Sequence, residues 1–248
     1  MAAVTEIAQD LFRISIFVPE INLQFNHFLV RDDEPLLFHT GYKRTFAEVR
    51  DAAAKVLDPS KIRHISFSHF EGAECGALNE WLAQAPRAET VVGLVGSLIN
   101  LQDFAIRPPR TVTGEDAIDT GRYRFRFIAT PQLPHGWDAG LLFEEKRRTL
   151  FCSDLFHQFG DVEPITDRPI LEEARKALLA MEAGPLAGYV PYTRHTGRML
   201  DELAALQPAT LAVMHGSSFQ GAGDRALAGL AEIMRSVLQP AEHSSREA

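Results

Sequence analysis

The order of apolar runs along the 248 residues predicts an α/β chain built as a four-layer sandwich, two sheets face to face with helices outside. Three observations point there. Short β-rich runs fill the first third, further runs of the same kind return after Pro108-Pro109, and each group is followed by amphipathic helical patterns. With 46% hydrophobic and 23% charged residues, the composition is that of a globular protein able to bury a sizeable core. One domain over residues 1–240 is expected, with a polar tail at 241–248.

Leu11 to Val18 reads as a strand, Asn26 to Arg31 as a second and Leu36 to His39 as a third, with Asp32-Asp33-Glu34-Pro35 as the turn between the last two. Thr40-Gly41 ends the third strand. A helix is expected from Thr45 to Leu57, where Phe46, Val49, Ala53 and Val56 share a face. Ile62 to Ser68 alternates as a strand, and Gly76 to Ala83 places Leu78, Trp81 and Leu82 on one helical side. Thr90 to Val95 reads as a strand and Leu98 to Phe104 as a helix. Strands resume at Tyr123–Ala129, Ala139–Phe143 and Thr149–Cys152, the last two joined by the basic turn Lys146-Arg147-Arg148. Helices follow over Ile170–Glu182, Met199–Leu206 and Arg225–Leu238, with a strand at Thr210–Met214.

The charge balance, 25 basic against 33 acidic residues for a net of −8, with no basic run, argues against a nucleic-acid partner. Cys75 and Cys152 are too few for a disulfide framework and fit a reducing compartment. The first twenty residues lack the basic start and apolar run of a signal peptide, and no apolar stretch approaches the roughly 18 residues of a membrane helix. A cytoplasmic protein without a membrane partner is expected.

Four polar clusters each follow a hydrophobic strand. They are Ser68-His69-Phe70-Glu71-Gly72-Ala73-Glu74-Cys75, Pro134-His135-Gly136-Trp137-Asp138, Phe151-Cys152-Ser153-Asp154 and Val213-Met214-His215-Gly216. Each alone is weak, since a strand-end histidine is commonly structural and a strand-end aspartate commonly caps a helix or turn. Together they would bring three imidazoles and three carboxylates to one sheet edge. Uncompensated, buried carboxylates cost several kcal/mol each, and a pair of divalent cations removes that cost.

This order of motifs resembles the metallo-β-lactamase superfamily, with Leu37-Phe38-His39-Thr40-Gly41 matching its early strand and loop. Glu71 in place of a histidine makes the first motif similar to that of flavodiiron proteins and of the oxygen-binding di-iron proteins related to them. The resemblance implies the four-layer αββα sandwich of the metallo-β-lactamase type and a metal site of His69, Glu71, Glu74, His135, Asp154 and His215. In it, His69, Glu71 and His135 would hold one iron, Asp154 would bridge, and His215 would hold the second. A carboxylate in place of an imidazole makes the site harder and suits iron, although zinc or manganese could occupy it.

The motif departs from the family at Ala73, which stands where the family has a ligating aspartate, and at Glu74, where the superfamily commonly has histidine. Either Glu74 supplies the missing carboxylate, or it only sits near the N-terminus of the next helix, where an acid is favourable anyway. His39 stands where an aspartate usually supports the site, which suggests a role behind the ligands. Asp138 and His157 could orient ligands, and Tyr189, Tyr192 and His195 could line the pocket. Asn26 and His27 match a position near it. Phe25, Phe28, Phe67, Phe70 and Trp137 could make it apolar or could be ordinary core, and Cys75 reads as packing.

The function implied is a non-haem di-iron protein that binds or reduces O2 or NO. Its electrons would come from an external donor, because no flavodoxin-like domain follows Gly216 in this sequence. The resemblance also implies a homodimer. Two alternatives come from other classes: a dinuclear hydrolase of the lactonase, glyoxalase II or β-lactamase type, in which a metal-bound hydroxide attacks a carbonyl, and a non-enzymatic oxygen or redox sensor. Fold does not choose among them.

Overall fold

The computed structural model describes residues 1–114 and 116–239; the tail expected at 241–248 lies outside the described residues. Strands β1 (Ala3–Ala8), β2 (Leu11–Val18), β3 (Leu23–Val30), β4 (Leu36–Phe38), β5 (His64–Ser66), β6 (Glu89–Gly93) and β7 (Arg110–Val112) form one sheet in sequence order. Its first four strands are antiparallel, and β4 to β7 run parallel. The second sheet has β8 (Ala117–Asp119), β9 (Arg124–Ala129), β10 (Gly140–Glu144), β11 (Thr149–Ser153), β12 (Ile165–Thr166), β13 (Thr210–Val213) and β14 (Ser218–Gln220), in the order β12-β14-β13-β11-β10-β9-β8.

The two-residue period of the strands divides their apolar side chains between two layers. Phe28, Leu36, Phe38 and Val91 from the first sheet meet Phe125, Phe127, Leu142, Phe151 and Ala212 from the second. The Phe151 ring stands edge-on to Phe28 and Phe38, with centroids 5.6 and 5.2 Å away. Leu29, Leu37 and Ile65 point the other way, onto helices α1 (Phe46–Ala53), α2 (Gly72–Cys75) and α3 (Leu78–Gln84). On the far side Leu141, Leu150, Leu211 and Val213 pack on α6 (Leu171–Glu182), α7 (Thr196–Ala205) and α8 (Gly223–Leu238). Helix, sheet, sheet and helix are the four expected layers. Between β6 and β7 the chain makes α4 (Leu94–Gly96), a π-helical turn (Ser97–Leu101) and α5 (Gln102–Phe104).

The main elements match the sequence reading to within a few residues, with two systematic differences. The helix expected to Leu57 stops at Ala53, and the following residues form turns leading to Pro59. Five strands, β1, β7, β8, β12 and β14, have no counterpart in the reading; four of them are only two or three residues long, too short to show alternation. No described helix is long and apolar enough to cross a membrane.

Strands β4, β5, β11 and β13 all run toward the same edge of the sandwich, and each is followed within two residues by polar side chains: His39, Ser68-His69, Asp154 and His215. The parallel pairings of β4 with β5 and of β11 with β13 set these loops side by side.

Candidate metal centre

The six sequence-predicted residues come together. His69 Nε2 lies 3.6 Å from Glu71 Oε2, 3.7 Å from Glu74 Oε2 and 3.6 Å from Asp154 Oδ2. His135 Nε2 is 3.0 Å from Asp154 Oδ2 and 3.5 Å from Glu71 Oε2. His215 Nε2 is 3.2 Å from the other oxygen of Asp154. Their donor atoms fall into three overlapping groups with spacing short enough for an ion: His69, His135 and Asp154; His69, Glu71 and Glu74; and Glu74, Asp154 and His215. Asp154 thus faces all three imidazoles.

These donors are left unsatisfied by the protein. His69 Nε2, Glu74 Oε2 and Asp154 Oδ1 are buried without a hydrogen-bond partner, the last because His215 is near it but not aligned. Such groups are costly to bury unless something else binds them. Three carboxylates and three imidazoles are also the donor types of a dinuclear first-row metal site. The residues therefore fit a metal pair.

Charge crowding is visible in the acidities. Burial, and then the neighbouring Asp154 charge, push the Glu74 carboxyl well above the usual range. Burial would also raise Asp154, but the His135 hydrogen bond and the adjacent His215 and His69 imidazoles hold it well below. His69 would be lowered by burial, yet the surrounding carboxylates, Glu74 foremost, raise it to about 9. Glu71 would likewise rise on burial, but His69 and the Tyr189 hydroxyl bring it down.

Glu74 is the third residue of α2, and its side chain is 1% exposed. It points into the cluster and not into solvent, where an acid that only favoured the helix start would sit. Ala73 packs instead against Phe25 and Met214.

Two of the three imidazoles, His215 and His69, have a held second nitrogen. His215 Nδ1 donates to the Gln24 carbonyl at 2.7 Å, so Nε2 faces Asp154. The turn carrying His215 is pinned by Asn26 Nδ2, which donates to Val213 O and Gly216 O at 2.9 Å each, and by the buried Arg13, which donates to Gly216 O at 3.1 Å. Gly216 has φ +118°, and a Cβ there would come within 2.6 Å of Gln158 Cβ, so only glycine fits. His69 Nδ1 lies 2.9 Å from Ser68 Oγ, which is 2.6 Å from Ser153 Oγ and 3.2 Å from His39 Nε2. His39 thus lies behind His69 and reaches it through Ser68.

The other sequence-predicted residues divide. The Tyr189 hydroxyl donates to Glu71 Oε2 at 2.5 Å, and its ring covers His135 with centroids 4.1 Å apart. His157 packs on His215 at 4.8 Å between centroids and keeps a buried, unpartnered Nε2. Burial pushes this imidazole down to about 3, so it is neutral. Asp138 touches no imidazole; its Oδ2 accepts from the Phe70 N–H and from Asn100 Nδ2, both at 3.1 Å, and so anchors the chain between His69 and Glu71. His27 is buried under Gly41, where a Cβ would come within 2.6 Å of its ring.

His195 is a correction: it is exposed before α7, and its hydrogen bonds run to Arg194 and Thr193. Tyr192 packs with the core beneath α6 and α8. Of the aromatic residues that could line the pocket or belong to the core, Phe25 touches His215, with centroids 5.0 Å apart. Phe28 and Phe67 belong to the two cores of the first sheet, while Phe70 and Trp137 are exposed beside the cluster. Burial raises the Cys75 thiol, which donates to Glu71 O at 3.2 Å; it packs and does not react.

With this geometry established, comparison with known proteins gives a consistent answer. Residues 23–216 match the model of the ODP family beta lactamase. Flavo-diiron protein FprA2 of Clostridium acetobutylicum is 23% identical over 229 residues, covering 85% of this chain and 56% of that protein. Rubredoxin-oxygen oxidoreductase of Megalodesulfovibrio gigas is 24% identical over 201 residues, covering 80% of this chain and 50% of that protein. Among solved structures, rubredoxin oxygen:oxidoreductase from Desulfovibrio gigas superposes with a TM-score of 0.79 at 19% identity, over 93% of this chain and 61% of that one. The chain spans between 25% and 56% of the length of the first curated relatives it matches. Its sheets, its strand-end cluster and the match over most of its length agree: the chain belongs to the ODP family of β-lactamase-like domains, with the metallo-β-lactamase-type fold of flavodiiron cores.

Proposed function

We propose that this chain holds two iron ions and binds or reduces O2 or NO between them. His69, Glu71 and His135 would hold the first iron, Asp154 would bridge, and Glu74 and His215 would hold the second. The observation that carries the reading is the buried Glu74 carboxylate, unsatisfied and grouped with Asp154 and His215 where the motif has lost its aspartate. The similarity to flavodiiron proteins supports iron over zinc, and so does a donor set half carboxylate, harder than the imidazole-rich sets of zinc hydrolases.

A ferrous pair, when bound, supplies electrons from two metals to one diatomic ligand, so that neither ion has to reach a high oxidation state. The chain does the rest. Asp154, ionised and facing all three imidazoles, holds the two halves of the site together. Ser68 and the Gln24 carbonyl fix His69 and His215 in the orientation that leaves Nε2 free. The Tyr189 hydroxyl keeps Glu71 ionised and turned toward His135. The described residues are spent on the two sheets and their helices, so electrons for a reductase would come from a donor beyond them.

The test is to load the chain with ferrous iron anaerobically, add a chemical reductant, and follow O2 and NO with electrodes and by absorption. Uptake or spectral binding of either gas is expected, without turnover of lactones or thioesters. Tight binding of two zinc ions with lactone or thioester hydrolysis would favour the hydrolase instead.

A further inference from the structure

Beside the cluster lies a small cavity of about 30 Å³. Leu178 and Met181 of α6 and Met234 of α8 line it on the helix side, and Phe156 lines it from the loop that follows β11. Leu178, Met181, Met234 and Phe156 are all buried. Among its lining residues the titratable ones are Asp154, which faces the three imidazoles, and His157, whose Nε2 is buried and has no hydrogen-bond partner.

Two physical arguments select the occupant. Ordered water needs two to four polar partners, which this lining hardly supplies, whereas small apolar cavities stay dry and take up apolar atoms such as xenon. A charged or strongly polar substrate would lose its hydration here without replacement. An uncharged diatomic gas has little hydration to lose. The methionines add adaptable walls, because unbranched side chains can swing without leaving a void.

We propose that this cavity is a docking chamber for an uncharged diatomic gas, which reaches the cluster through it from the helix layer, past Asp154 and His157. The chamber rests on the reading of the cluster as an O2- or NO-binding site, and it names the route and the holding place.

The test has an arm that does not depend on iron. Crystals of the metal-free chain are pressurised with xenon, alone and as the Leu178→Trp and Ala174→Leu variants, Ala174 being a further lining residue. Xenon is expected in the wild-type cavity and absent from both variants. In the ferrous-loaded chains, NO association followed by stopped flow is expected to slow roughly tenfold in the variants, with iron content and melting temperature unchanged. Ala174→Leu, the smaller change, carries the test if the tryptophan variant does not fold. A wild-type cavity without xenon would overturn the chamber, and so would an unchanged NO association rate once xenon has been excluded. If the wild-type chain binds xenon there but neither gas at its metals, the reading of the cluster fails and the supply route falls with it, while the apolar site stands.

Discussion

The two ends of the first sheet each gather acidic side chains, and they balance them differently. Where β2 begins and β3 ends, Asp10 accepts from Arg31, Arg122 and the Tyr123 hydroxyl, and Asp32 accepts from Arg122, Thr120 and the Tyr123 N–H. Burial would raise both carboxyls, but these partners hold them below the usual range. At the other end Glu71, Glu74 and Asp154 face only imidazoles and a tyrosine, and three of the cluster's polar atoms have no partner. One end is finished by protein alone; the other leaves donors that a metal pair would satisfy. On the function proposed above, the difference separates a structural charge cluster from a functional one within the same fold.

The sharpest way to break this contrast is Asp154→Ala. Removing the one carboxylate that faces all three imidazoles should take metal content from about two per chain to near zero, read by mass spectrometry, with the fold retained by circular dichroism.

The stability responses should have opposite signs at the two ends. Asp32→Ala strips buried donors of their acceptor and should cost about 3 kcal/mol in urea unfolding. Glu74→Gln removes a crowded buried acid and should stabilise the metal-free chain by about 2 kcal/mol, while weakening metal binding. Destabilisation of the metal-free chain by Glu74→Gln would remove the contrast.

A smaller effect is expected at Ser68, which links His69 to His39 and Ser153. Ser68→Ala leaves every proposed ligand in place but frees the His69 ring, and should weaken metal affinity about tenfold in a competition titration. Unchanged affinity would make that network mere packing.

The smallest effect is the acid limb of stability. Because Asp10 and Asp32 have lowered pKa values in the folded chain, their contribution is complete above the ordinary carboxylate range near 4 and is lost as pH falls through the folded values. The urea midpoint should therefore drop below about pH 4, and Arg122→Ala should flatten that drop. A midpoint as steep in the variant would show that the arginine does not hold these acids.

The site was legible in the sequence to the extent that its donors close hydrophobic strands. Position after a strand places His69, Glu71, Asp154 and His215 at one edge, because parallel neighbours end together, and His135 follows a strand of the second sheet that reaches the same edge. Glu74 was left between two roles, since a helix start and a cluster both welcome an acid; only its burial separates them. The supports were hidden. His215 leans on a carbonyl 191 residues away, and a backbone oxygen has no signature in sequence. His195 misled for the converse reason: nearness in sequence to Tyr189 does not survive the turn into α7. Phe28 and Phe67, open in sequence between pocket and core, are core, their rings lying in the layers on opposite sides of the first sheet.

The central claim, that Glu74 completes a two-metal site after the loss of the motif's aspartate, is tested most directly by counting iron. The anaerobically reconstituted wild-type chain should carry about two irons, and Glu74→Ala about one, held by His69, Glu71, His135 and Asp154. A variant that still carries two, or a wild-type chain that carries only one, would contradict it.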